Sequence, residues 1–358
     1  MIFGLQYLRG LAALLVVLLH AKVAVNHFVP SSKLLLPDQG FIEFGKFGVD
    51  IFFVISGMVM YMTIGKSMES DRGIGNFIIK RLIRVVPAFW MALALYGMAM
   101  LFVGKMPDDA FRKYLTSALF MFYPNEAGKP ETVYAISWTL NFEVYFYMSL
   151  ALMCCIFGRY GRIATGLLFS VYAFTFYNWG SLNFLQRSVF SPMYLEFILG
   201  MLCGYAHQNR IFKISLISWG LFISGAALIS ATNVWGVGDG GIGRVIYAGI
   251  PSMLCVLGVA NISLTENIVI HKVLMKLGDA SYSVYLIHSI AFVMLSGFLK
   301  SIGYKMADYN DTIILYACMI IFSLACSIFF SKTMEKPVIN LINSILFPSK
   351  PKSKRAVV

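Results

Sequence analysis

Leu5-Gln-Tyr-Leu-Arg9-Gly-Leu-Ala-Ala-Leu-Leu-Val-Val-Leu-Leu-His20 belongs to an apolar run long enough to cross a bilayer as a helix, yet it carries an arginine and a histidine. The two lie eleven residues apart. At about 100° per residue that spacing is within about 20° of three full turns. Both side chains therefore point the same way, roughly 16 Å apart along the axis. Placing a cation and a titratable ring in lipid is costly, and membrane proteins keep such groups mainly for function.

The rest of the chain fits this reading. Of 358 residues, 59% are hydrophobic and only 13% charged, and mean hydropathy is +0.75. A soluble domain carries about 25% charged residues. Ten apolar runs are expected to span: 5–24, 47–64, 84–103, 136–157, 163–180, 189–206, 214–232, 245–263, 279–299 and 312–331. Segment 114–123 is too short and reads as a re-entrant or interfacial piece. The expected fold class is all-α, a polytopic transmembrane helical bundle. The first run lacks the basic leader and small-residue cleavage site of a signal peptide, so it is expected to stay in the protein.

The net charge of +12 is distributed as a topology signal rather than a nucleic-acid surface. Residues 65–84 hold Lys66, Arg72, Lys80, Arg81 and Arg84 against two acids. The turns at 158–162 and 207–213 hold Arg159, Arg162, Arg210 and Lys213, and residues 264–277 hold Lys272 and Lys276 against Glu266. The tail from Lys332 has six basic residues against one acid. The intervening segments, 25–46, 104–135, 233–244 and 300–311, are balanced. This positive-inside alternation puts both termini in the cytoplasm. The chain divides into a membrane domain, 1–335, and a basic cytoplasmic tail, 336–358, that suits anionic lipid. The six cysteines all fall in apolar runs and read as small core residues, with no metal or disulfide spacing.

With that topology, helical rise sets depths. His20 lies roughly 22 Å from the cytosolic end of its helix. Asp50 sits near the outer end of the second helix, in Gly48-Val-Asp-Ile-Phe-Phe-Val-Ile-Ser-Gly57. Glu143, in Ser137-Trp-Thr-Leu-Asn-Phe-Glu-Val-Tyr-Phe-Tyr147, and Glu196, in Tyr194-Leu-Glu-Phe-Ile-Leu-Gly200, each lie about 10 Å below the outer edge. Taken singly, Arg9 snorkels as readily as it acts, Asp50 suits a helix cap and the glutamates suit bundle pairing. Three acids and one histidine, His20, at one depth favour a site in which a carboxylate, Asp50 or Glu143, orients the His20 imidazole as a general base. On the cytosolic side, Arg81 and Arg84 stand at i and i+3, a fork that suits phosphate; alone, such a pair reads as positive-inside anchoring. Gly278-Asp-Ala-Ser-Tyr-Ser-Val-Tyr-Leu-Ile-His288 sets a second histidine near mid-membrane, with Tyr282 and Tyr285 toward the same cavity.

These segments, in their order and spacing, resemble the acyltransferase-3 family of membrane-bound O-acyltransferases. The resemblance runs from Gln6 to about Pro337 and includes Glu335-Lys-Pro337. The wording Gln6-Tyr-Leu-Arg-Gly and Trp138-Thr-Leu-Asn-Phe-Glu is most similar to exopolysaccharide and O-antigen acetyltransferases. The resemblance implies a bacterial inner-membrane enzyme that takes an acyl group, usually acetyl, from cytosolic acetyl-CoA and gives it to a glycan hydroxyl. It implies donor phosphates at Arg81 and Arg84, and a pantetheine arm passing Arg9. His20 then serves as base, with Asp50 or Glu143 beside it. Ser56, Trp138 and Tyr147 are candidates for the oxyanion donor, and Glu196, Tyr285 and His288 for supporting roles. A metal is not expected. The competing reading is a glycan or anion transporter, or flippase, whose buried acids and histidines relay protons. Against it, the sequence has no inverted repeat and no paired broken helices.

Overall fold

The computed structural model describes residues 2–28, 36, 41–69, 73–178, 190–212, 214–235, 241–262, 269–305 and 308–348. Arg72, Lys213, Glu266 and the end of the tail, 349–358, all used above to count charge, lie outside them, as do the ends of three expected spans at 179–180, 189 and 263.

Each apolar run becomes a helix, because hydrocarbon leaves backbone groups no partner but their own helix. In chain order they are α1 (Phe3–Phe28), α2 (Lys46–Met68), α3 (Gly73–Phe102), α4 (Ala110–Ala118), α5 (Trp138–Phe157), α6 (Gly161–Asn178), α7 (Tyr194–Gln208) and α8 (Ser215–Trp235). Then follow α9 (Gly241–Asn261, with a π-turn at Val245–Gly249), α10 (Val269–Ser301), α11 (Tyr309–Phe330) and α12 (Lys336–Leu346). Among the described residues, eight stretches are long and apolar enough to cross a membrane, against ten expected. The difference has two sources. The α5–α6 hairpin forms one continuous apolar stretch, Ala135–Thr175. Helix α7 has 15 residues, short of a full crossing. The 114–123 segment is no span either: α4 has 9 residues and leads into a small antiparallel hairpin, Tyr123–Pro124 with Pro130–Glu131.

Two close crossings set the frame. Helix α1 packs along α10, where a Cβ on Gly278 would run into the Gln6 carbonyl and one on Gly10 would stand 2.9 Å from the Gly278 nitrogen. Helix α2 packs along α7. There a Cβ on Gly57 would strike the Phe197 carbonyl and one on Gly200 the Val54 carbonyl. Small residues are how membrane helices bring backbones this close, since lipid supplies no hydrophobic force between them. Beside the second crossing runs an aromatic stack: Phe53 on Phe197 (4.5 Å), Phe197 on Phe146 (4.6 Å) and Phe169 on Tyr194 (4.3 Å). It ties α2, α5, α6 and α7 together.

Polar ties fix the ends. Buried Lys22 of α1 pairs with Glu43, which also holds Lys46 at 2.9 Å. Tyr282 of α10 donates to the Val85 carbonyl of α3 (2.8 Å). Glu335 is buried and accepts from Ser283 of α10 and from Ser331 (3.2 Å), which anchors the π-turn Ser331–Glu335 between α11 and α12. Helix α12 packs on α3, with the Lys80 ammonium 5.2 Å from the Phe347 ring.

The α2–α7 crossing yields a stability prediction. Gly57→Ala forces a methyl into backbone and is expected to cost about 1–3 kcal/mol, the usual penalty of overpacking. Gly75→Ala, at a site with nothing within 4 Å, is expected to leave the melting temperature of the detergent-solubilised protein unchanged. Equal melting of the two variants would show that the crossing is not close.

Candidate active site

Helix α1 carries Arg9 and His20 on one face, but packing sends them to different cavities. Arg9 faces a narrow chamber of about 100 Å³. Arg81 and Arg84 of α3, and Ser56, Glu143 and Tyr147, are among its polar lining. His20 faces a larger cavity of about 700 Å³, shared with Asp50, Trp138, Arg244, Tyr134 and Ser289. Val49 and Tyr285 line both. Tyr285 is the partition: its hydroxyl donates to the Ile136 carbonyl (2.9 Å) and lies 2.8 Å from the Thr139 hydroxyl.

In the narrow chamber, Glu143 Oε1 accepts from Tyr147 and from Ser56 (3.1 Å), and the two hydroxyls lie 3.0 Å apart. Arg81 Nη2 donates to Thr63 (3.0 Å) and Arg9 Nη1 to Gln6 (3.2 Å). Arg84 is exposed. Three guanidiniums around one carboxylate leave the chamber an excess of positive charge.

In the larger cavity, His20 Nδ1 lies 2.9 Å from the Val16 carbonyl, one turn back. A carbonyl only accepts, so in the neutral ring Nδ1 carries the hydrogen and Nε2 the lone pair. That is the tautomer a base needs. The expected carboxylate partner is absent, because both acids are engaged elsewhere. Asp50 takes a bidentate pair from Arg244 of α9, at 2.8 Å to Nε and 3.1 Å to Nη2. Glu143 lies in the other chamber. Glu196 is also apart, fully buried beside Asp50, with neither oxygen hydrogen-bonded. The single layer of acids is thus two places: Asp50 with Glu196 behind it on the His20 side, and Glu143 in the narrow chamber. Depth along a helix fixes one coordinate, and the rotation that decides what faces what comes from packing.

Of the three oxyanion candidates, Ser56 and Tyr147 are bound up with Glu143. Trp138 lines the His20 cavity, and its indole N–H makes no hydrogen bond. His288 is fully buried with its ring centroid 5.1 Å from that of His20. The residues of the site missed from sequence are Arg244, Val16 and Tyr134. Arg244 sits in a charge-balanced loop, and its pairing to Asp50 spans 194 positions. Tyr134 donates to the Leu286 carbonyl, accepts from Ser289 (3.0 Å) and stacks on Tyr96 at 4.5 Å. Among the described residues no cluster of His, Cys, Asp and Glu could hold a metal ion.

The family model for the acyltransferase domain, Acyl_transf_3, matches residues 2–332. The chain belongs to this family. Two relatives are similar over most of their length. The exopolysaccharide production protein ExoZ of Rhizobium meliloti (strain 1021) is 27% identical over 72% of this chain and 80% of its own. Nodulation protein 10 of Rhizobium leguminosarum bv. viciae is 27% identical over 68% of this chain and 71% of its own. No solved structure matches. The protein is a multi-pass membrane acyltransferase.

The Asp50–Arg244 pair yields a second prediction. Asp50 is 1% exposed and the Arg244 side chain 23%. Arg244→Ala leaves a buried carboxylate unpaired and is expected to cost about 3–5 kcal/mol. The double variant Asp50→Asn/Arg244→Gln removes both charges and is expected to recover most of the loss in thermal melting. A double variant as unstable as the single would show that the pair is not held by charge.

Proposed function

We propose that this enzyme moves an acyl group, acetyl foremost, from cytosolic acyl-CoA to a hydroxyl of an exported glycan, with His20 as general base. The observation that carries this reading is the pair of chambers meeting at Tyr285. One is narrow and cationic. The other is wide, aromatic and holds the lone pair of His20.

The loop charges orient the arginine chamber toward the cytoplasm, where acyl-CoA is found, as expected of an inner-membrane protein. Exposed Arg84, with Arg81 behind it, suits the donor's phosphates at the mouth. The narrow chamber, about 100 Å³ against about 700 Å³ for the wide one, is assigned to the thin pantetheine arm and the wide one to the bulkier acceptor. Arg9 lies along that path. The thioester carbonyl then reaches the Tyr285 partition.

The larger cavity suits a sugar. Tyr96, Trp138 and Tyr247 offer flat apolar faces among Asn233, Thr232 and Arg244. That mixture of aromatic faces with polar forks fits a ring whose faces are apolar and whose edges are hydroxyls. The name of one relative, an exopolysaccharide production protein, agrees with a polysaccharide acceptor.

The step balances without a cofactor. His20 Nε2 removes the hydroxyl proton as the oxygen attacks the thioester carbonyl. The C–S bond breaks, and the thiolate takes the proton back from the imidazolium and leaves as free thiol. In this reading Trp138, on the wall of the His20 cavity, supplies the N–H that donates to the oxyanion.

The test is mass spectrometry of surface glycan from a deletion strain complemented with wild type or variants, each checked for insertion. His20→Ala is expected to lower transfer by about 10²–10⁴-fold, and Trp138→Phe by about 10²–10³-fold. With purified protein, Arg84→Ala is expected to raise KM for acetyl-CoA several-fold and spare kcat. Normal glycan acylation by inserted His20→Ala would overturn the proposal.

A further inference from the structure

His288 is used by none of the steps above, yet it is the group beside the base. Its Nδ1 lies 3.1 Å from the Val284 carbonyl. By the same tautomer rule as for His20, Nδ1 carries the hydrogen and Nε2 the lone pair. That Nε2 is shielded from solvent and has no hydrogen-bond partner. Buried polar atoms are nearly always paired, so an orphan of this kind marks a group that waits for a partner. The two rings lie 5.1 Å apart at 49°. In the resting state both Nε2 atoms are acceptors, and no proton exists to join them. One proton added to His20 supplies the missing donor.

We propose that His288 is a positioning residue whose Nε2 accepts the N–H of the His20 imidazolium in the interval between the two proton transfers. This rests on the reading of His20 as the base. The hydroxyl O–H bond breaks and an N–H bond forms at His20 Nε2. No covalent bond to His288 forms. The imidazolium turns its N–H to His288 until the thiolate is released and takes the proton. A neutral imidazole therefore stabilises the imidazolium, while the Val16 carbonyl orients the ring.

Other charges near the pair are already matched. In the cavity, Arg244 is bound to Asp50 and Lys46 to Glu43. On the outer side of α1, Lys22 is bound to Glu43. The remaining titratable neighbours are His27, which shares a further cavity with His20, and tyrosines: Tyr285 beside His288 (6.0 Å between centroids), and Tyr96, Tyr134 and Tyr247 on the cavity wall. Among the described residues none of these hydrogen-bonds to the His20 ring, whose partner is the Val16 carbonyl.

The experiment uses the full-length protein in nanodiscs and diethyl pyrocarbonate as a probe that labels neutral imidazole. Labelling of His20 is followed by mass spectrometry against pH, with no acyl donor or acceptor present. His288→Asn keeps a donor for Val284 but has nothing at the Nε2 position. It is expected to move the His20 labelling midpoint to lower pH by about one unit, a tenfold change in proton affinity. His288→Gln restores an acceptor there and is expected to label like wild type. In a parallel assay with acetyl-CoA and purified exopolysaccharide, His288→Asn is expected to lower kcat by ten- to a hundredfold with KM for acetyl-CoA unchanged. Identical midpoints in all three proteins, or Gln behaving like Asn, overturn the proposal. A shifted midpoint in a protein that transfers no acyl group would instead overturn the functional reading and leave the histidine pair standing.

Discussion

The close approach of α1 and α10 is the constraint on which the site depends. Gly10 and Gly278 let the two backbones touch, and the contact brings His20 against His288 further along the same pair. Any larger residue at the crossing would part the helices and separate the rings. The same pairing places Arg9 and Tyr282 on one chamber and His20 and Ser289 on the other. One helix pair thus serves both sides of the partition.

Charge in this protein is handled in two ways. Where it is structural, it is matched inside the bundle: Lys22 and Lys46 on Glu43, Arg244 on Asp50. Where the proposed reaction uses it, it is left in excess, as in the three arginines around Glu143. The proposed base, His20, follows a third pattern. A backbone carbonyl fixes its tautomer without lending it negative charge. His20 is therefore oriented by its own helix, and the ring is free of the carboxylates that cross the bundle nearby.

Much of this was readable in the sequence. The apolar runs gave the helices, because membrane helices satisfy their backbone within one segment. Arg9 and His20 on one face followed from helical spacing, and Arg81 and Arg84 on one face likewise. What failed was a carboxylate bonded to His20: Asp50 shares its cavity but is held by Arg244, and Glu143 lies in the other chamber. Rise per residue gives depth, and depth was taken for proximity. Which azimuth each helix presents depends on glycine crossings between distant segments, and no spacing within one segment encodes that. Arg244 was invisible for the same reason, since its only signal is a partner on another helix. The short α7 separates counting apolar runs from counting crossings.

The most direct test of the account is a cryo-EM structure of the enzyme with a non-hydrolysable thioether analogue of acetyl-CoA. The account predicts phosphates at Arg81 and Arg84, the pantetheine arm past Arg9, and the sulfur at the Tyr285 partition within reach of His20 Nε2. Analogue bound in the wide cavity, or with its sulfur several helical turns from His20, would contradict it.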